Sequence, residues 1–475
     1  MARSPRAARA GNTRRLIDAR TRPGLGGTGV ERATTALDSK EAGLAALLLP
    51  LLLFAEQLAL GVDGALLAAM AASGEILLTL FFLPMLMPDS RFWRRAWPVI
   101  ALMMAILAWL AQPVVWPGFW PARARLQLVP DLALSGLVRV MGGFALLLAA
   151  GWLGYRYGMI RRALGWMIAF GTVAIIIGLV LRQIDAGSVW GLSKGLHADR
   201  FSGTMLNANA HGCLSGMLVL LATGYAMDGL GRIDPVNPRW ASVACSALAA
   251  VIGLGSCAIS GSRTALIATL VLAVLMVAAT PIRAERKRGR AALIGLILLA
   301  IMLLVVMIGD ATLDRVYRAE ADITDRHMIW AHYWFAIQPA LMTGYGLLSF
   351  DQLNMLAMRD PFSAANFWYI HSPHNWALRL FMTGGLPYAM LLIVLVAALL
   401  SPVSRFYAPW VVVQNGRNGN RGRPLSLGML AAALLSVICG WTDIALDVPV
   451  VIATTTVLVA MLWGQALRRA DDGDR

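Results

Sequence analysis

Apolar runs of about 20 residues recur along the sequence and most constrain how it folds. Twelve can be placed, at 43–61, 65–87, 96–115, 134–154, 163–182, 207–227, 240–259, 264–281, 291–309, 374–401, 426–441 and 450–467. Each can cross a hydrocarbon core about 30 Å thick as an α-helix, whereas membrane barrels show short alternating strands. Only 14% of residues are charged, against about 25% in soluble domains. We predict an all-α integral membrane protein with about 12 transmembrane helices.

Basic residues concentrate in alternate connections between these runs. With the N-terminus in the cytoplasm, 29 of the 41 Lys and Arg residues lie on the cytoplasmic side and 10 on the outer side. Cytoplasmic loops of membrane proteins carry such an excess. The distribution predicts an even number of spans with both termini in the cytoplasm. It also accounts for most of the net charge of +15, so no nucleic-acid partner is expected.

The pattern divides the chain into successive parts. These are a basic, disordered cytoplasmic tail (1–42), nine transmembrane helices (43–309), a large outer loop (310–372), three transmembrane helices (373–467) and a C-terminal cytoplasmic tail (468–475). The outer loop is too long for a simple connection. Its segment 326–338, RHMIWAHYWFAIQ, places apolar residues at helical spacing and predicts an amphipathic helix at the membrane surface.

Several outer-side residues are not needed to orient the chain. Arg200 precedes the sixth span, Arg263 lies in a tight turn, Arg326 opens the amphipathic segment, and His374 and Asn375 begin the tenth span. Singly, an arginine at a helix end can reach the lipid headgroups, and a lone histidine can be structural. Together they converge on one membrane face. Guanidinium groups suit phosphate capture, and a neutral imidazole can deprotonate a hydroxyl.

Acidic residues show no comparable pattern in the outer loops. There is no pair of carboxylates with hydrolase spacing, and the acidic residues at 310, 314, 320, 322 and 325 are typical of a solvated face. We therefore expect no divalent metal site. The residues alone predict an outward-facing site for a phosphorylated substrate with a base nearby, and they do not name a reaction.

The order of these motifs resembles that of the O-antigen ligase and O-antigen polymerase superfamily of bacterial inner membranes. The matching elements are Arg200 followed by Ser-Gly-Thr and Asn-x-Asn, the turn Ser-Gly-Ser-Arg-Thr-Ala at 260–265, Arg326 with Trp330 leading to Pro339 and Gly344-Tyr345-Gly346, and His374-Asn375 followed after nine residues by Gly385 and then Tyr388. The resemblance covers about residues 195–400. The first five spans match only in hydropathy.

The resemblance implies a fold like that of other polyprenyl-dependent glycosyltransferases, with a large, partly helical periplasmic loop over the active site. It implies transfer of a glycan from undecaprenyl diphosphate to an acceptor sugar hydroxyl, without metal or cofactor, and a single displacement would invert the anomeric centre. By position, His374 matches the catalytic base. Arg263, Arg326 and Arg200 match the arginines that bind the diphosphate. His371 is expected to support the base, and Asn375 to cap the following helix.

Several activities remain open at this point. An O-antigen ligase uses lipid A core as acceptor and is favoured by the pattern around His374. A polymerase of O-antigen or exopolysaccharide uses a second lipid-linked repeat, and a protein O-glycosyltransferase uses a protein. A polysaccharide transporter is kept open by Glu56 and Glu75, because carboxylates within spans are costly and often functional. Transporters usually carry internal repeats, which the sequence lacks.

Overall fold

The computed structural model describes residues 29–59, 61, 64–86, 90–156, 159–195, 198–231, 240–280, 319–407 and 423–473 of the chain. These residues are almost entirely helical. The chain divides into two units, Met1–Glu41 and Ala42–Arg475. All contacts described below lie within the second unit.

The described helices are numbered in chain order. They are α1 (Gly29–Leu58), α2 (Ala65–Leu86), α3 (Ser90–Val115), α4 (Pro121–Arg125), α5 (Pro130–Tyr155), α6 (Met159–Ile184), α7 (Ala208–Gly231), α8 (Trp240–Ile259), α9 (Arg263–Ala279), α10 (Ala319–Ile337), α11 (Phe350–Ala357), α12 (Pro361–Phe367), α13 (Trp376–Tyr407), α14 (Arg423–Thr442) and α15 (Pro449–Gly473). An antiparallel hairpin, β1 (Ser188–Val189) and β2 (Leu192–Ser193), follows α6. Single 3₁₀ turns lie at Pro117–Phe119, Gln338–Ala340 and Ala445–Asp447.

Nine of the described helices are long and apolar enough to cross a membrane, namely α2, α3, α5 to α8 and α13 to α15. The segment Gly43–Leu58 of α1 and helix α9 are apolar but shorter. These eleven helices lie over eleven of the twelve predicted spans. The other predicted span, 291–309, lies outside the described residues. The expected fold class, an all-α integral membrane protein, is confirmed.

Three helices form the centre of the bundle. Burial covers 72% of the apolar window in α7, 61% in α14 and 78% in α15, against 39% or less in the other six spanning helices. Lipid provides little hydrophobic drive for helix association, so small residues let membrane helices approach closely. A β-carbon on Gly224 of α7 would lie 2.7 Å from the Pro424 carbonyl oxygen of α14. This contact joins the end of α7 to the start of α14. Gly216, nearer the start of α7, meets Leu435, nearer the end of α14, so the two helices are antiparallel.

Three carboxylates are buried within the described apolar helices, and one of them, Asp228 of α7, pairs with Arg161 of α6. Glu56 of α1 and Glu75 of α2 are 4% and 6% exposed. A β-carbon on Gly142 of α5 would overlap the Glu75 carboxylate, so glycine at this position makes room for it. The carboxylate oxygens of Glu56 accept no hydrogen bond from the part of the chain that the structure describes.

The predicted helix at 326–338 is present as α10, which begins earlier, at Ala319. Tyr333 and Ile337 are fully buried, whereas Trp334 is 43% exposed. Helix α10 thus packs Tyr333 and Ile337 into the protein and leaves Trp334 accessible. Tyr333 Oη donates to Asn354 Oδ1 at 2.7 Å. This bond ties α10 to α11, because a buried hydroxyl is stable only with a partner.

A glycine-rich loop docks α10 beside the start of α13. Gly344 and Gly346 have φ of 67° and 99°, a region that residues other than glycine seldom adopt. The Gly346 N–H donates to the Thr383 carbonyl at 3.1 Å. Gly385, with φ of 69°, interrupts the helical conformation inside α13. Only glycine adopts such angles without steric cost, so this docking depends on glycine in both segments.

Candidate active site

The carboxylate of Asp443, directly after α14, contacts side chains from three distant segments of the chain. Its Oδ2 accepts hydrogen bonds from Asn209 Nδ2 at 2.6 Å and from an Arg326 Nη at 3.3 Å. Its Oδ1 accepts from the Ile444 N–H at 2.7 Å and lies 3.4 Å from His374 Nδ1. The side chain of Asp443 is 9% exposed. A single buried carboxylate thus connects the start of α7, the helix α10 and the start of α13.

The surroundings of Asp443 favour its ionised form. Burial alone would raise the pKa of this carboxyl group. The hydrogen bond and charge of His374, the charge of Arg326 and the Ile444 N–H outweigh burial and hold the pKa below its ordinary value. Hydrogen bonds to a carboxylate favour its charged form. At neutral pH, Asp443 is therefore an anion that can orient an imidazole.

Arg200 reaches Asp443 through one intermediate residue. An Arg200 Nη donates to Asn209 Oδ1 at 2.5 Å, and the amide of Asn209 donates to Asp443. Arg200 Nε donates to the Ser260 carbonyl at 2.9 Å. The Arg200 carbonyl in turn accepts from Lys194 Nζ at 2.9 Å. These bonds fix the guanidinium between the start of α7 and the turn before α9.

Arg263 is the first residue of α9. The preceding turn contains Gly261, with φ of 70°, where glycine permits the sharp reversal. Thr442 Oγ1 donates to Thr264 Oγ1 at 3.4 Å, and Thr442 directly precedes Asp443. The structure thus places Arg263 beside the segment that holds Arg200 and Arg326. The three predicted arginines come from three different parts of the chain.

His374 adopts an unusual backbone conformation with φ of 53°. A residue other than glycine pays about 1–2 kcal/mol there and needs surrounding contacts to hold it. Its N–H donates to Ser372 Oγ at 3.3 Å, and its carbonyl accepts from Trp330 Nε1 at 3.3 Å. The side chain is 31% exposed. With Nδ1 facing Asp443, Nε2 is the ring nitrogen that can accept a proton.

The residues on either side of His374 have other partners. Asn375 caps α13, because its Oδ1 accepts from the Ala377 N–H at 2.9 Å. His371 Nδ1 lies 3.3 Å from Asp351 Oδ1, and the His371 side chain is 82% exposed. The contacts of the described residues thus link His371 to Asp351 and not to His374. The group that contacts the His374 ring is Asp443 instead.

Asp443 was not among the residues predicted from the sequence. The signal was present, because two aspartates, Asp443 and Asp447, lie in a short connection between two apolar runs. Carboxylates so close to spanning helices are costly and seldom lack a partner. Nothing in the local sequence shows that the partner of Asp443 begins another helix.

Part of the chain is similar to a known protein family. Residues 248–394 match a family model described as O-antigen ligase. The matched range contains Arg263, Arg326 and His374, whereas Arg200 and Asp443 lie outside it. No curated protein matches the chain. The chain is thus an all-α membrane protein that contains a region similar to the O-antigen ligase family.

Proposed function

We propose that the chain is an O-antigen ligase of the bacterial inner membrane, acting in lipopolysaccharide assembly. It transfers a glycan from undecaprenyl diphosphate to a sugar hydroxyl of lipid A core at the periplasmic face. The observation that carries this proposal is the contact between His374 and Asp443, which also holds Arg326 and, through Asn209, Arg200. A potential base and potential phosphate ligands therefore meet at one buried carboxylate.

His374 acts as the catalytic base in this proposal. Ionised Asp443 accepts the Nδ1 proton, so Nε2 faces the acceptor with its lone pair. It takes the proton of the acceptor hydroxyl while that oxygen attacks the anomeric carbon and the bond to the diphosphate breaks. A base positioned in this way contributes about 10²–10⁴-fold to a rate. Attack opposite the leaving group inverts the anomeric centre.

Arg200, Arg263 and Arg326 bind the diphosphate of the donor. Guanidinium groups form paired, charge-assisted hydrogen bonds with phosphate oxygens. The Arg326 side chain is 33% exposed, so it can contact a ligand while it keeps its bond to Asp443. Donors fixed in place stabilise the negative charge that develops on the departing diphosphate. Because the arginines supply this charge, we propose a reaction that needs neither metal nor cofactor.

Deletion of the gene, with analysis of lipopolysaccharide and of the lipid carrier, tests the function. If the protein is a ligase, its deletion is expected to leave bare lipid A core and to accumulate long lipid-linked polymer. Accumulation of single unpolymerised repeats would show the alternative, a polymerase. Unchanged glycans together with the loss of uptake of a solute would show a transporter, for which the buried Glu56 and Glu75 are the candidate residues.

The orientation in the membrane is part of the same proposal. The excess of basic residues in alternate loops supports cytoplasmic termini and a periplasmic site. A reporter that is active only in the periplasm, fused after residue 320, is expected to give a signal. A fusion at the C-terminus is expected to give none. The reverse pattern would place the His374 side of the protein in the cytoplasm and would contradict a periplasmic transferase.

A further inference from the structure

A second charged cluster connects to His374 through Asp447. The hydroxyl of Ser372 accepts the His374 N–H at 3.3 Å and donates to Asp447 Oδ2. The other carboxylate oxygen of Asp447 lies 3.8 Å from Arg379 Nε. Asp443 thus contacts the His374 ring, while Asp447 contacts the segment that fixes the His374 backbone. The donor site proposed above does not use Arg379.

A second arginine lies near Arg379 in this cluster. Arg139 of α5 lies close enough to Arg379 for their like charges to interact. The described acidic group that pairs with Arg379 is Asp447. The Arg379 Nη1 atom is buried and has no hydrogen-bond partner among the described residues, although 29% of the side chain as a whole is exposed. A buried donor without an acceptor is unfavourable, and an incoming anion would supply that acceptor.

One segment of the loop lies against both arginines or their immediate neighbours. Phe350 presents its ring to Arg379, with 5.6 Å between the guanidinium carbon and the ring centroid. Leu347 packs on Gly136, one turn before Arg139, where a β-carbon would come within 2.6 Å of the leucine. The beginning of α11 and the loop before it therefore pack against Arg379 and against the part of α5 that carries Arg139.

The position of Arg139 within a spanning helix is better explained by a bound ligand than by contact with lipid headgroups. Arg139 is the tenth residue of α5, about 14 Å along the helix from Pro130. Charged residues so far inside a spanning helix face the protein interior and mark substrate sites. We propose that Arg379 and Arg139 form a second anion-binding site, which holds a phosphate group of the acceptor glycolipid. This inference rests on the proposed transferase function, and it places donor and acceptor anions at separate arginine clusters connected to His374.

Binding measurements test the site without requiring turnover. The full chain, in nanodiscs of phosphatidylcholine, is titrated with lipid A core and with the same glycolipid after its phosphates are removed. We expect Arg379→Gln to weaken binding of the phosphorylated glycolipid about tenfold, or about 1.4 kcal/mol. Binding of the dephosphorylated form should change less than twofold. The matched control is Arg359→Gln, which removes the same charge from an exposed arginine of the outer loop.

Equal affinities of Arg379→Gln and the unmodified chain would overturn the proposal, as would equal losses for both glycolipids. If Arg379→Gln fails to fold, Arg139→Gln is expected to show the same selective loss, and its absence would overturn the proposal. The titration is repeated with phosphatidylglycerol in the nanodiscs. An effect of the substitution that appears only there would identify a bilayer headgroup as the ligand and would overturn assignment to the acceptor.

Kinetics separate this inference from the proposed function. If the unmodified chain transfers glycan, Arg379→Gln should raise KM for phosphorylated acceptor while KM for the donor and kcat stay within twofold. A fall in kcat with both acceptors would overturn the anion site. If the unmodified chain transfers nothing, the transferase proposal fails, and the binding comparison still decides whether the phosphate site exists.

Discussion

Replacement of Asp443 by asparagine tests the group that organises the candidate site. The substitution preserves size and removes the negative charge that faces His374 and Arg326. An amide at this position can also donate to the imidazole, which would favour the wrong ring tautomer. We expect the variant to insert and fold, and to lose most of its transfer rate.

The size of the effect follows from the contacts of Asp443. Its side chain is only 9% exposed, so water has little access to compensate for the lost interactions of the carboxylate. A hydrogen bond to a charged group contributes about 1.5–3 kcal/mol. Loss of the bond that orients His374 therefore predicts a fall in kcat of about 10- to 150-fold, at about 1.4 kcal/mol for each factor of ten. Weaker binding of the donor is expected as well, because Arg326 loses its partner.

The assay measures glycan transfer by purified protein in nanodiscs, with lipid-linked glycan as donor and lipid A core as acceptor. Asp131→Asn is the matched control, because Asp131 is an exposed aspartate in the first turn of α5. Its rate is expected to stay within twofold of the unmodified protein. A folded Asp443→Asn protein that transfers glycan at the unmodified rate would refute the reasoning. Equal losses in both variants would do the same.

Three further outcomes are expected from the structure. Gly385→Ala should destabilise the protein in thermal unfolding, because Gly385 has φ of 69° and the new β-carbon would lie 2.5 Å from the carbonyl carbon of Met342. Gly143→Ala should instead stabilise the protein by about 0.5–1 kcal/mol, because no described atom lies within 4 Å of the added β-carbon. Asn375→Ala should cost about 1 kcal/mol of stability through loss of the cap, and an unchanged midpoint would contradict that role. The contribution of ionised Asp443 to stability should be fully present above pH 3.8, the ordinary pKa of the group. It should be lost as the pH falls through the lower pKa of the folded state. Unfolding of Asp443→Asn should lack this pH dependence, and an unchanged dependence would contradict the prediction.

Much of the fold follows from hydropathy, for a physical reason. In lipid, every backbone polar group must be satisfied internally, so a long apolar run has to be helical. The central position of α7, α14 and α15 was not predicted. It depends on close contacts such as that of Gly224 with Pro424, and a glycine in an apolar run does not show which helix it will face.

Part of the candidate site could likewise be predicted from the sequence, and part could not. Arg200, Arg263 and Arg326 stand out in the sequence because the orientation rule does not require them on the outer side. Asp443 could not be paired with Asn209 from sequence, because antiparallel packing of α7 and α14 brings them together. The left-handed backbone of His374 was also unforeseen, because residues other than glycine seldom adopt it.

The most direct test of the account is the rate of glycan transfer by purified His374→Gln. The measurement uses saturating undecaprenyl-diphosphate-linked glycan and lipid A core in nanodiscs, with donor binding measured on the same preparation. The account predicts a loss of at least about 100-fold in kcat, with donor affinity within a few-fold of the unmodified protein, because the arginines remain. Transfer at the unmodified rate by a folded variant that binds the donor would contradict the assignment of His374 as the base.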